Sequence, residues 1–187
     1  MKLNTKFNYP KSIRAYYNGQ RLYDINSEKL PSVTTILNAT KSERDKAKLE
    51  EWRKRVGAKA ADQIIENGLR NDLSEVYGVE ATQYYPGKYA GAADLLGVYM
   101  GKETILDFKT GNKPRRDEWN DEYYLQLGAY SLAHDKVYGT NIKQGVILLC
   151  TKDLMFQRFI VDSERLKDCQ KRFLEKVEQY YSMKLNS

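Results

Sequence analysis

The sequence predicts an α/β domain, and three observations carry that reading. From Leu73 to Gly111, apolar and polar residues alternate with a period of two, broken by turn residues at Pro86-Gly87 and Gly101-Lys102; this is the pattern of a three-strand meander. Large residues then recur at spacings of three and four through Trp119, Tyr123, Leu127, Tyr130 and His134, which predicts an amphipathic helix ending at Gly139. Two strands, the nearly continuous apolar "KQGVILLCTK" and "MFQRFIVD", lead into a last helix, so helices and strands interleave as in a sheet covered by helices. With 187 residues and no repeat, low-complexity tract or linker, one domain over residues 1–187 is expected.

The elements follow in order. "SIRAYYNGQRLYDI" places two aromatic and branched runs around Asn18-Gly19, a dipeptide suited to a type I′ turn, and predicts an N-terminal β-hairpin. In "KLPSVTTILNAT", Pro31 and Ser32 suit either a short helix start or an extended lead-in, which completes an N-terminal segment over residues 1–41. Helix formers dominate from Ser42 to Asn67, predicting two helices broken near Gly57, the second ending at Ile64-Ile65-Glu66. After the meander, the long helix and the two strands, Asp162 or Ser163 caps a closing helix that turns Leu166, Phe173, Val177 and Tyr180 inward.

Composition narrows the function classes. Lys and Arg number 31 against 25 Asp and Glu, a net charge of +6 that permits a polyanionic partner without requiring one. Cys150 and Cys169 stand far apart and form no metal-binding or disulfide pattern. No apolar run has the length of a membrane span, and "MKLNTKFNYPKSIRAYY" lacks a signal-peptide centre, so a cytoplasmic location is expected, that of the host if a phage encodes the chain. No nucleotide-cradling glycine loop or nucleophile elbow is present.

The chemistry concentrates in "ETILDFKTGNKP". Side chains alternate faces along a strand, so Asp107 and Lys109 share one side, and Leu106 and Phe108 the other. An isolated Asp-x-Lys is ordinarily an ion pair on an exposed sheet face. Here the preceding strand carries Asp94 within "AGAADLLG", again among apolar residues, and a meander sets neighbouring strands about 4.8 Å apart. Two aspartates brought that close repel unless a cation lies between them. Oxygen ligands favour a hard divalent ion, Mg2+ or Mn2+, over zinc. Such an ion polarises a phosphate oxygen and acidifies a bound water, while the lysine orients that water or neutralises developing charge, and the set makes a hydrolytic phosphodiester site.

With Asp94 in "GAADLLG", Asp107-x-Lys109 in "ILDFKTG" and Gln126-x-x-x-Tyr130 in "QLGAY", the chain resembles the PD-(D/E)XK nuclease superfamily, in particular its RecB-like exonucleases. The resemblance implies a restriction-endonuclease-like core, a central mixed sheet flanked by helices. It also implies that Asp94, Asp107 and the Phe108 backbone carbonyl bind the metal and that Lys109 assists hydrolysis. Gln126 and Tyr130, one turn apart on a helix face, would lie beside the site. That group usually adds an acid from the helix before the meander, and Glu66 in "DQIIEN" matches that position as a ligand, directly or through water. "LPSVTTIL" is similar to the segment ahead of the core in mitochondrial genome maintenance exonucleases and their phage relatives, which act on single-stranded DNA. The implied function is a Mg2+- or Mn2+-dependent DNA exonuclease preferring single strands or ends, in replication, recombination or repair. A structure-specific endonuclease or junction resolvase on the same fold, and a catalytically silent DNA-binding module, are the alternatives.

The chain departs from the pattern in places. Ala61 stands where many members place the histidine of Gly-Thr-x-x-His, and the cysteine clusters of iron–sulfur relatives are missing, so no such cluster is expected. The link from Glu66 to the first meander strand is short, implying less of a cap over the substrate. His134, the sole histidine, is expected to be a packed or surface residue rather than a catalyst. For phosphate contacts, Lys113, Arg115 and Arg116 follow the Asp-x-Lys strand, and Arg53, Lys54, Arg55 and Lys59 precede the helical acid. Tyr84, Tyr85, Tyr123 or Tyr124 could stack unpaired bases, but most are expected to be core or half-buried and none is assigned as a base contact.

Overall fold

The structure is a computed structural model that describes residues 2–17, 20–39 and 58–185. The helix expected over 42–56 and the Asn18-Gly19 turn lie outside the described residues. The strands flanking that turn pair antiparallel as β2 (Ile13–Tyr17) and β3 (Gln20–Ile25), with Tyr17 opposite Gln20. The expected hairpin gains a third strand, β4 (Glu28–Pro31), because Asn26 and Ser27 adopt positive φ and return the chain at once. Both readings of "KLPSVTTILNAT" are then realised in sequence. The extended segment ends at Pro31, and α1 (Val33–Ala39) starts behind Ser32, whose Oγ accepts the Thr35 N–H at 2.9 Å.

The main sheet has the strand order β1-β5-β6-β7-β8-β9. It comprises β1 (Lys2–Leu3), β5 (Leu73–Tyr85), β6 (Tyr89–Tyr99), β7 (Lys102–Gly111), β8 (Gln144–Thr151) and β9 (Phe156–Val161). The meander β5-β6-β7 and the final pair β8-β9 are antiparallel, whereas β7 and β8 run parallel, so the sheet is mixed as expected. Parallel neighbours need a crossover, which α3 (Asp121–Tyr138) supplies. Every residue of β8 is buried, since helices cover both faces there.

One face of the sheet packs on α1, α3 and α4 (Ser163–Leu185), through Leu96, Ile105, Ile147 and Leu149. The other face packs Leu95, Leu106, Val146 and Leu148 against α2 (Ala58–Ile64). A single π-helical turn, Ile65–Leu69, extends α2. Asp162 caps α4 through the Arg165 N–H at 3.0 Å, and Leu166, Phe173, Val177 and Tyr180 face inward as expected. Gly139 ends α3 in the left-handed region, at φ 64°, where it bonds back to the Asp135 carbonyl.

Two features of α3 differ from expectation. The helix is buried round most of its circumference, with Tyr124, Leu125, Leu127, Ala129 and Ser131 all covered, because it is wedged between the sheet and α4. Trp119 is 54% exposed rather than inward, since Asp117–Asn120 form a 3-10 turn whose phase differs from that of the helix proper. Gly128 permits the close fit of α3 on α4: a Cβ there would lie 2.7 Å from the Cys169 carbonyl carbon. Gly128→Val is therefore expected to destabilise the fold by about 1–3 kcal/mol or more through overpacking against backbone, read as a lower urea midpoint at unchanged slope.

Candidate active site

The site forms where two strands part. Rungs between β6 and β7 run from Tyr99 opposite Lys102 to Leu95 opposite Leu106 and stop there. Beyond that point, β6 stays paired with β5 and β7 with β8, but not with each other. Asp94 and Asp107 are the first two residues past the last rung. Parting strands leave backbone groups without ladder partners, and a buried unpaired N–H is costly. The Phe108 N–H is rescued by Asp94 Oδ2 at 2.6 Å. In a strand, the N–H and C=O of one residue point to the same neighbour, so the Phe108 carbonyl also faces the gap.

On the α3 side of this gap a chain of polar contacts fixes Lys109. Its Nζ is in ion contact with Asp107 Oδ2 and donates to Gln126 Oε1 at 2.9 Å. Gln126 Nε2 in turn donates to Tyr130 Oη at 2.8 Å, so one amide orients both ends of the chain. The one-turn spacing of Gln126 and Tyr130 makes this possible. Tyr130 has room because Gly91 lies beneath it, where a Cβ would come within 2.6 Å of the ring. The Lys109 ammonium also lies 4.9 Å from the Tyr123 ring centroid.

Electrostatics follow from burial. Asp94 is pushed up to about 7, first by burial and then by the negative charge of Asp107. Burial works against charge on Lys109, but Asp107 and Asp94 outweigh it and raise the ammonium above its ordinary value, so the lysine stays charged. Burial holds the Tyr130 hydroxyl well above its usual range, and it stays protonated.

Asp94, Asp107, Lys109, Gln126 and Tyr130 line one cleft of about 260 Å³. Its lining also includes residues from elements that the sequence did not connect with the site: Arg14 and Arg21 with Tyr23 from β2 and β3, Thr34 from α1 and Glu80 from β5. The N-terminal sheet reaches this position by docking on the start of β6. Ser32 bridges Ala90, and Tyr23, Ile25 and Leu30 bury around that alanine.

Other predicted residues fall elsewhere. Glu66 sits exposed on the π-helical turn, paired with Arg70 at 2.8 Å, and does not join the group lining the cleft. Arg53, Lys54 and Arg55 lie outside the described residues. Lys59, Lys113 and Arg116 are exposed. Arg115 is held in place, its guanidinium over the Tyr123 ring and bonded to Tyr123 Oη at 3.2 Å and to the Trp119 carbonyl. Tyr124 is fully buried and donates to Asp117, so no base can stack on it; Tyr84, Tyr85 and Tyr123 are half-buried. His134 is buried between Tyr9 and Thr140, and burial lowers it to about 4, which leaves it neutral and packed.

Among the described residues, no group of three or more His, Cys, Asp or Glu is arranged to hold a metal. Two carboxylates nevertheless fit a hard divalent ion, which commonly takes one or two from protein and the rest from water and substrate phosphate. Asp107 supports the fit: it is buried at the gap, and Lys109 is the partner its Oδ2 finds there. The mutual repulsion that raises Asp94 is what a cation would relieve.

No family model matches the chain. It is similar to mitochondrial genome maintenance exonuclease 1 of Mus musculus, 28% identical over 128 residues that make up 63% of this chain and 37% of that protein. The chain thus matches little more than a third of that relative's length. Among solved structures it is similar to SSO0001, at TM-score 0.37 and 12% identity over 62% of this chain and 55% of that one. It is also similar to an alkaline exonuclease from Laribacter hongkongensis, at TM-score 0.30 and 13% identity over 82% and 81%. Both structural likenesses are slight.

A carboxyl raised in the folded state holds a proton there that the unfolded chain has lost. Its contribution to stability is therefore full below the ordinary value of 3.8 and disappears as pH rises through about 7. Asp94→Asn removes this titration and can still accept the Phe108 N–H. In EDTA, the Tm of the wild-type protein is expected to fall relative to Asp94→Asn between pH 5 and pH 8; parallel melting curves across that range would contradict the assignment.

Proposed function

We propose that this chain, a relative of PD-(D/E)XK-like exonucleases, is a nuclease that hydrolyses DNA phosphodiester bonds, acting as an exonuclease on single strands or ends. The observation that supports this most is the parting of β6 and β7, which sets Asp94, Asp107 and Lys109 around one gap with Lys109 locked by Gln126 and Tyr130. Asp94, Asp107 and the Phe108 carbonyl would hold Mg2+ or Mn2+. When bound, such an ion supplies Lewis-acid charge that polarises the phosphodiester and strengthens a water nucleophile.

The protein's own groups supply the rest. Lys109 stays protonated, so it serves as a fixed positive charge beside the phosphate oxygens rather than as a general base. Gln126 fixes the direction of the Lys109 ammonium, which makes the donor available without reorganisation. Neutral Tyr130 holds Gln126 in turn, and Asp94 holds the Phe108 backbone that bears the carbonyl. The cellular role that follows is processing of DNA ends in replication, recombination or repair.

The test is degradation of end-labelled linear and circular DNA, single-stranded and duplex, with Mg2+ or Mn2+ and with EDTA. Loss of linear single strands that needs the metal and spares circles is expected. Asp107→Ala should abolish it, and Lys109→Met should lower kcat by about 10²–10³ with little change in KM. Cutting of circles would replace the exonuclease by an endonuclease, and DNA binding without cleavage under either metal would refute the hydrolytic reading.

A further inference from the structure

The cleft has a second wall with a charge pattern of its own. Arg14 lies opposite Tyr23 in the β2-β3 pairing, and Arg21 lies two residues from Tyr23 on the same strand, so all three share one face of the N-terminal sheet. Arg14, Arg21 and Tyr23 line the same cleft as Lys109 and Gln126. Tyr23 is 3% exposed and forms a rigid floor for the Arg14 guanidinium, whose carbon lies 5.7 Å from the ring centroid. Docking of β3 and β4 on Ala90 ties this wall to β6, the strand that carries Asp94, so the arginines and the acid stand on one framework.

Glu80 explains how the wall is held when no substrate is bound. The pairing of Val79 with Leu95 and of Ala81 with Ala93 places Glu80 across from Asp94 on the neighbouring strand. Its Oε2 lies 3.3 Å from Arg14 Nη2. Glu80 adopts φ 49°, outside the strand region, and both partners of the pair are largely exposed, at 49% and 66%. Exposed pairs of this kind contribute little stability, whereas an arginine on a phosphate gains charge-assisted, two-pronged hydrogen bonds. A phosphate can therefore displace Glu80 from Arg14 cheaply.

Building on the nuclease reading, we propose that Arg14 and Arg21 form an anchoring subsite for a phosphate of a single DNA strand that is not the one being cut. Glu80 is the stand-in anion that occupies Arg14 until the strand arrives. The strand then runs between two walls. Lys109 faces the scissile phosphate, and the two arginines grip a neighbouring one. The cleft of about 260 Å³ that both sets of residues line has room for a stretch of one such backbone.

The test is binding of a fluorescein-labelled 12-mer oligothymidylate in EDTA, followed by anisotropy from 50 to 200 mM salt, so that binding is read without cleavage. Arg14→Gln and Arg21→Gln should each weaken binding about five- to ten-fold and reduce the log–log salt slope by about 0.7, while Arg14→Lys keeps the slope. Lys171→Gln, on the exposed outer surface of α4, controls for loss of one charge and should change binding less than two-fold. Glu80→Gln should tighten binding by removing the stand-in. The proposal is overturned if the arginine variants behave like the Lys171 control, if Glu80→Gln does not tighten binding, or if the wild-type protein fails to bind the oligonucleotide. Arginine-dependent binding without cleavage under Mg2+ or Mn2+ would refute the nuclease and leave the subsite standing. Cleavage with a KM indifferent to both arginines would do the reverse.

Discussion

The structure around the cleft depends on one hydrogen bond, from the Phe108 N–H to Asp94. A sheet that stops pairing in its middle exposes backbone groups in its own interior, and such a gap closes or fills unless something satisfies them. Asp94 supplies the missing acceptor, with the result that β6 and β7 can diverge while staying anchored at the point of divergence. The gap, the paired acids within it and the carbonyl that faces it all follow from that substitution of a side chain for a strand.

A second constraint is charge balance. Asp94 and Asp107 lie at a spacing where both cannot be ionised without compensation, and the site answers with one buried ammonium. Lys109 is held by Asp107 of its own strand and by Gln126 and the Tyr123 ring of α3, so three partners over-determine its position. Gly91 and Gly128 serve the same end by letting Tyr130 settle on β6 and α3 settle on α4. Much of the core on this face thus fixes the height and direction of one cation over two acids.

What was legible in the sequence was whatever depends on local periodicity. Alternation put Asp107 and Lys109 on one face, helical spacing put Gln126 over Tyr130, and turn chemistry ended α3 at Gly139. What was not legible depends on how distant pieces dock. Arg14, Arg21 and Glu80 carry no motif; the burial of Ala90 under the N-terminal sheet brings the two arginines to the cleft, and the pairing of β5 with β6 sets Glu80 beside Asp94. Glu66 matched by position along the chain, yet the π-helical turn sets it on the surface, a local irregularity with no marker in composition. Trp119 failed for a related reason, because a 3-10 turn shifts the phase of a pattern counted at 3.6. The covering of α3 on nearly all sides was hidden because its polar residues, such as Ser131, find partners inside the protein.

The turn between β6 and β7 sets how a change of chain length is absorbed. Met100 and Gly101, both at positive φ, close it in two residues, and Met100 is exposed at the tip. Every rung from there to Leu95 and Leu106 counts residues on both strands in step. A residue inserted between Asp94 and Asp107 must bulge out at this tip or slide one strand past the other, and a slide of one position turns Asp107 and Lys109 to the face of Leu106 and Phe108. The register of the paired strands therefore fixes the distance along the chain between the two acids. A change of length that leaves the register intact is most easily taken up at the tip, so a single two-residue turn guards the alignment of the whole cleft.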